Sequence, residues 1–162
     1  MKLIAILASL LLLVGTAHAD EVLRHRTPGS SFPIASAVEV PAGKTLVYLS
    51  GAVPPVLDEK AERGSLAAYG DTRSQTAGTL AGIERTLKGL GLTMGDVVKM
   101  QVFLVGDPAK GGKMDFEGFM AAYREHFGTP AQPRLPARSV MQVAALVLPG
   151  WLVEIEVTAV RP

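Results

Sequence analysis

The sequence predicts an α+β two-layer sandwich, a mixed β-sheet with two helices on one face. Three observations lead there. Stretches rich in β-formers and stretches with a helical apolar period follow one another as two strands, helix, strand, helix, two strands. Each is bounded by Gly, Pro or Asp. The last stretch alternates strictly, with Val153, Ile155, Val157 and Ala159 on one side and Glu154, Glu156 and Thr158 on the other. Helices that follow strands in this order cross over and cover one sheet face.

Ahead of the domain stands a leader. Lys2 precedes an apolar run from Leu3 to Val14, and the small-residue stretch Gly15 to Ala19 follows it. This is the layout of a signal peptide with cleavage after Ala19. The run is too short for a membrane span, which needs roughly 20 apolar residues. The expectation is a leader over 1–19, one domain over 20–162 in the periplasm or secreted, and no membrane attachment once the leader is gone.

Within the domain, Ala37 to Val40 and Thr45 to Ser50 read as strands joined by Pro41-Ala42-Gly43-Lys44, a hairpin. The segment from Pro54 to Gly70 has no period and reads as a loop. From Asp71, the residues Thr76, Leu80, Ile83, Leu87 and Leu90 recur at steps of four and three, a helix stopped by Gly91. Val97 to Leu104 is a strand. A second helix runs from about Asp115 to Phe127, with Phe116, Phe119, Met120, Tyr123 and Phe127 on one stripe and Gly128 after it. The loop to Pro136 carries three prolines and is stiff. Arg138 to Ala144 and Leu152 to Val160 read as a closing hairpin around Leu148-Pro149-Gly150. Apolar residues on both faces of the sheet point to burial of the second face against copies of the same chain.

Composition excludes several classes of function. The formal net charge is +1, with 19% charged residues and no basic block. That is no footprint for tracking nucleic-acid phosphates. There is no cysteine, so an exported chain has no disulfide and depends on packing or assembly. With only His25 and His126 beyond the leader, a metal site is not expected. Lys110 to Lys113 lacks the glycine and the Ser/Thr of a phosphate loop, because Asp107 and Met114 stand in their places. There is no G-x-S-x-G elbow and no dinucleotide fingerprint.

What remains is Arg138, opening one C-terminal strand after Leu135-Pro136-Ala137, and Glu154, a carboxylate in an otherwise apolar run. An Arg fork grips a carboxylate with two parallel hydrogen bonds. A nearby Glu can orient or deprotonate a water. The plainer reading is that Arg138 pairs with Glu154 or Glu156 across the hairpin as a salt bridge.

The run Pro136-Ala137-Arg138-Ser139, continuing through Gln142-Val143 to Pro149-Gly150 and Val153-Glu154-Ile155-Glu156, is similar to the C-terminal signature of the RidA (YjgF) family. Upstream, Leu49-Ser50-Gly51-Ala52-Val53-Pro54 resembles its S-G-x-x-P segment. Asp71 to Ile83 with Gln75 resembles its first helix, Gly91 to Lys99 its entry to the third strand, and Phe116 to Phe127 with Tyr123 its second helix. The resemblance covers nearly everything after Thr27. It implies a chorismate-mutase-like fold, a homotrimer whose sheets form a central barrel, and ligand sites in clefts between subunits. It also implies hydrolysis of 2-imino acids, or their enamine tautomers, to 2-keto acids and ammonia, with no metal or organic cofactor. Arg138 would hold the substrate carboxylate, Glu154 would position the water, and Ser50 and Gly51 would line the cleft. Where deaminase members carry Gly-Pro-Tyr, this chain has Phe32-Pro33-Ile34, and where many carry Asn in the second helix it has Met120. Both Ile34 and Met120 make the cleft more apolar. The alternatives of the same fold are a non-catalytic binder of small carboxylates and a holdase-like chaperone.

Overall fold

A computed structural model describes residues 21–162. The expected leader, residues 1–19, lies outside them. The elements in order are β1 (Leu23–His25), β2 (Ala37–Glu39), β3 (Leu46–Ala52), α1 (Thr72–Gly89), β4 (Val97–Val105), α2 (Phe116–His126), β5 (Ala137–Val143) and β6 (Val153–Val160). The main sheet runs β3-β6-β4-β5, and β1 and β2 form a separate antiparallel pair. Only β4 and β5 are parallel. A parallel pair needs a long connection between its strands, and α2 lies in that crossover. The mixed sheet with two helices is the predicted fold.

Both helices begin where a side chain can take the first free N–H groups. Asp71 accepts from Ser74 N at 2.8 Å and Asp115 from Gly118 N at 3.1 Å, caps that stabilise a helix by about 1 kcal/mol each. Leu90 ends α1 and Gly91 follows at φ 73°, a left-handed conformation that favours glycine. The predicted stripe of α1 is buried at Thr76, Leu80, Ile83 and Leu87, while Leu90 at the C-cap is exposed. From α2, Phe119, Met120 and Tyr123 enter the core. They join Met100, Val102 and Leu104 of β4 and Val153, Ile155, Val157 and Ala159 of β6. Among the described residues no helix is long and apolar enough to cross a membrane.

Both predicted hairpins are absent. The turn at Pro41–Lys44 exists, with Lys44 N donating to Pro41 O, but β2 pairs with β1 and β3 pairs with β6. β1 is a three-residue strand, too short to show a period. At the other end, β6 lies between β3 and β4, and β4 separates it from β5. The connection across Leu148-Pro149-Gly150 is long enough to carry the chain past β4. The strand with the most complete apolar face, β6, thereby takes a central position under α1.

Candidate functional site

Arg138 stands one residue into β5, opposite Met100 of β4. Met100 faces the helices, so Arg138 does too. Its guanidinium enters a cage made by α2 and the segment before Ala35. Its Cζ lies 4.1 Å from the ring centroid of Tyr123, 5.0 Å from Phe119 and 5.6 Å from Phe32. Nη2 donates to Met120 Sδ at 3.3 Å. Nη1 is shut off from solvent and has no acceptor among the described residues. Burial pulls the Arg138 pKa below the ordinary guanidinium value, against the opposing influence of Tyr123. The Tyr123 phenol is pushed up to about 12, chiefly by burial, with the charge of Arg138 working the other way. Its hydroxyl donates to Pro33 O at 2.9 Å, which ties the Phe32-Pro33-Ile34 segment to α2.

A buried donor without an acceptor costs about 1–3 kcal/mol, and more when it is charged. The three rings recover part of that through cation–π attraction. The one hydroxyl among them, on Tyr123, donates to Pro33 O and leaves Nη1 without a hydrogen bond. What would satisfy Nη1 is an acceptor brought from outside, and a carboxylate is the strongest partner for a guanidinium.

Glu154 lies elsewhere. It is opposite Phe103 of β4, three residues along from Met100 and on the sheet face the helices leave open. The ladder spacing puts the Cα atoms of Arg138 and Glu154 roughly 14 Å apart. The salt bridge expected across a closing hairpin does not form, with either Glu154 or Glu156, because β4 lies between the two strands. On its other side Glu154 meets β3, whose register with β6 is interrupted between Leu49 and Ala52. Ser50 and Gly51 fall in this irregularity, a common device for re-aiming side chains near sites. The Glu154 carboxylate occupies the space a Cβ on Gly51 would take. Gly51 and Glu154 are thus brought together, with Ser50 next to Gly51 in the same irregularity, and Arg138, Met120 and Phe32 are brought together, as two separate groups of one chain. Ile34 is half-buried beside Pro33, in a turn where its N–H donates to Phe32 O.

Helical spacing identifies Phe119 and Tyr123 as core, but it carries no sign that their rings also surround Arg138. Their positions flanking Met120 in α2 are the one signal available. Gln75 has a role that spacing does not reveal either. Buried in the first turns of α1, it donates to Gly70 O and Gly150 O at 2.9 and 3.0 Å and accepts from Leu152 N at 2.7 Å. It thereby fixes the entry to β6, on which Glu154 stands.

The α+β sandwich of a mixed sheet and two helices gives the class, and comparison with known proteins supplies the family. The model of the family described as Endoribonuclease L-PSP matches residues 30–161. The chain belongs to this family, the YjgF/RidA family. It is 30% identical over 136 residues to TdcF of Escherichia coli (strain K12), whose name assigns it, by inference, to the reactive intermediate deaminases; the match covers 84% of this chain and 92% of TdcF. Among solved structures, E. coli TdcF with bound serine matches with TM-score 0.55 and 30% identity, over 87% of this chain and 98% of that one. The Rid-family protein YyfB from Yersinia pestis matches with TM-score 0.62 and 27% identity, over 86% and 96%.

Proposed function

We propose that the chain hydrolyses reactive 2-imino acids or their enamine tautomers to 2-keto acids and ammonia, as an exported homotrimer. The observation that carries the reading is Arg138 Nη1, a buried guanidinium nitrogen with no acceptor. The likeness to TdcF supports the class of reaction, and the serine bound to TdcF is itself a small molecule bearing a carboxylate.

An imine carbon is already electrophilic. Arg138 would hold the carboxylate and so fix the plane of the C=N bond. Glu154 would take a proton from water as oxygen adds to that carbon and pass it to nitrogen, giving the carbinolamine, then take the hydroxyl proton and pass it to nitrogen as the C–N bond breaks to ketone and ammonia. No metal or organic cofactor is required. Orientation is most of the catalysis.

Arg138 and Glu154 of one chain cannot meet on one substrate across their separation, so the site is completed between copies. The open sheet face supports this reading, because it carries Leu46, Tyr48 and Met141 exposed and Phe103 half-exposed. Large apolar side chains left exposed on a sheet face in this way suit an interface. Ser50, Gly51 and Glu154 of one copy would then face Arg138 of its neighbour, with Ile34 and Met120 lining the cleft.

The test is release of ammonia and keto acid from freshly generated 2-iminopropanoate and 2-iminobutanoate. Activity that disappears in both Arg138→Ala and Glu154→Gln is the expected result. No release above buffer by a folded oligomer overturns it. A second reading, a non-catalytic binder of small carboxylates, is favoured by the thioether of Met120 on Arg138 Nη2, where no hydrogen-bonding oxygen stands.

A further inference from the structure

We infer that the carboxylate site at Arg138 continues into a second anion subsite at Arg124, and that the preferred ligands are dicarboxylic 2-imino and 2-oxo acids of four or five carbons. The inference rests on the role proposed for Arg138 and names the substrate class of that same site.

Arg124 lies one helical turn beyond Met120 in α2, and residues at this spacing lie about 5–6 Å apart on one helix face. Met120 is the residue whose sulfur touches the Arg138 guanidinium. The two cations are therefore neighbours, and the charge of Arg124 is among the influences that lower the Arg138 pKa. Nothing acidic offsets them. Among the described residues Arg124 makes no ion pair or hydrogen bond, and Glu125 beside it is engaged by Arg73 at 3.1 Å. A cation in the last turn of a helix favours the helix dipole. That accounts for Arg124 alone but not for two unneutralised guanidinium groups side by side.

Arg124 also lines a cavity of about 650 Å³ with Ser30, Ser31, Phe32 and Phe127. Its lining contains no acid. Ser30 Oγ accepts from Phe32 N at 3.2 Å and still has its own proton to donate. Phe32 is a wall of this cavity and also one of the three rings around Arg138. It is the most exposed of the three and the one that stands between the two cations' surroundings. A ligand with its α-carboxylate on Arg138 would pass Phe32 and carry its far end toward Arg124 and the two serines. The rise of one helical turn, on the order of 6 Å, suits the separation of carboxylates in a four- or five-carbon diacid.

Calorimetry of the purified protein with 2-oxoglutarate and with 2-oxobutanoate tests the inference. The diacid is expected to bind about tenfold more tightly, the yield of one added charge-assisted contact. Arg124→Gln should bring the two affinities to within about threefold, and Arg124→Glu should reverse their order. Equal affinities in the unsubstituted protein overturn the inference, as does a preference that survives Arg124→Gln. If 2-oxobutanoate binds and depends on Arg138 while no preference for the diacid exists, this inference alone falls. If neither acid binds, the reading of Arg138 falls with it.

Discussion

Arg138 donates through Nη2 to the sulfur of Met120 at 3.3 Å, while its Nη1, shut off from solvent, has no acceptor among the described residues. A thioether is a weak acceptor. The cage therefore holds the guanidinium in place without neutralising it, and a carboxylate reaching it would meet a donor that has already lost its water. Arg138→Ala should weaken binding of 2-oxobutanoate by about 10- to 100-fold, the equivalent of about 1.5–3 kcal/mol for a hydrogen bond to a charged group. Arg138→Lys should recover little of it, because a single ammonium does not reproduce the planar fork. Titration calorimetry reads both.

The same cage predicts how stability responds. Removing the head group of Arg138 also removes a buried, half-satisfied charge, so Arg138→Met should leave urea stability equal or raise it by about 1 kcal/mol. A large loss would show that the three rings stabilise the guanidinium by more than its burial costs.

Gly51 and Glu154 set a steric condition on the other half-site. A methyl group on Gly51 would occupy the position of the Glu154 carboxylate, which would have to swing away. Gly51→Ala should lower kcat by about 100-fold, the scale on which a displacement of about 1 Å acts on a positioned group. Binding of 2-oxobutanoate, for which Arg138 is the proposed contact, should change far less. Equal losses in binding and turnover would show that Gly51 matters to the cleft as a whole and not to Glu154 in particular.

Much of this architecture was legible in the amino-acid order, and the exceptions have a common cause. The stripe Thr76, Leu80, Ile83 and Leu87 and the alternation from Val153 to Ala159 depend only on local period, and both are buried as that period predicts. Strand neighbours do not depend on local period. The segments around Pro41–Lys44 and Leu148–Gly150 have turn residues and flanking β-formers, yet the strands on either side pair elsewhere. The placement of Arg138 and Glu154 follows from that difference. Their offset of three residues along β4 is odd, and an odd offset in a ladder puts two side chains on opposite faces. The observed sheet sets them on two strands that β4 separates. Residue type singled out both, but only the topology shows that they stand on different strands and different faces of the sheet.

Gln75 shows how the core fixes the start of β6. Its side chain joins Gly70 O, Gly150 O and Leu152 N, the last two in buried residues and the first in a half-buried one. Gln75→Met keeps the volume and removes all three bonds. It should cost about 2–4 kcal/mol in urea unfolding, because the stranded backbone groups pay for their desolvation. A loss under about 1 kcal/mol would mean that water replaces the amide.

Tyr123 yields a prediction in pH. Burial raises its pKa from 10.0 to about 12 in the folded protein, while the unfolded chain keeps the ordinary value. Below pH 10 both states hold the phenolic proton and stability does not depend on it. Between pH 10 and 12 the unfolded state releases the proton first, so stability falls as pH rises through this window. The loss should reach about 1.4 kcal/mol by pH 11, set against the same measurement on Tyr123→Phe, which cannot ionise there. The variant lacks the hydrogen bond to Pro33 O and should be the less stable protein near pH 8. Its disadvantage should shrink toward pH 11, as read by urea unfolding at both values. A disadvantage that stays constant would place the Tyr123 hydroxyl in contact with solvent, and would remove the closed wall on which the Arg138 cage depends.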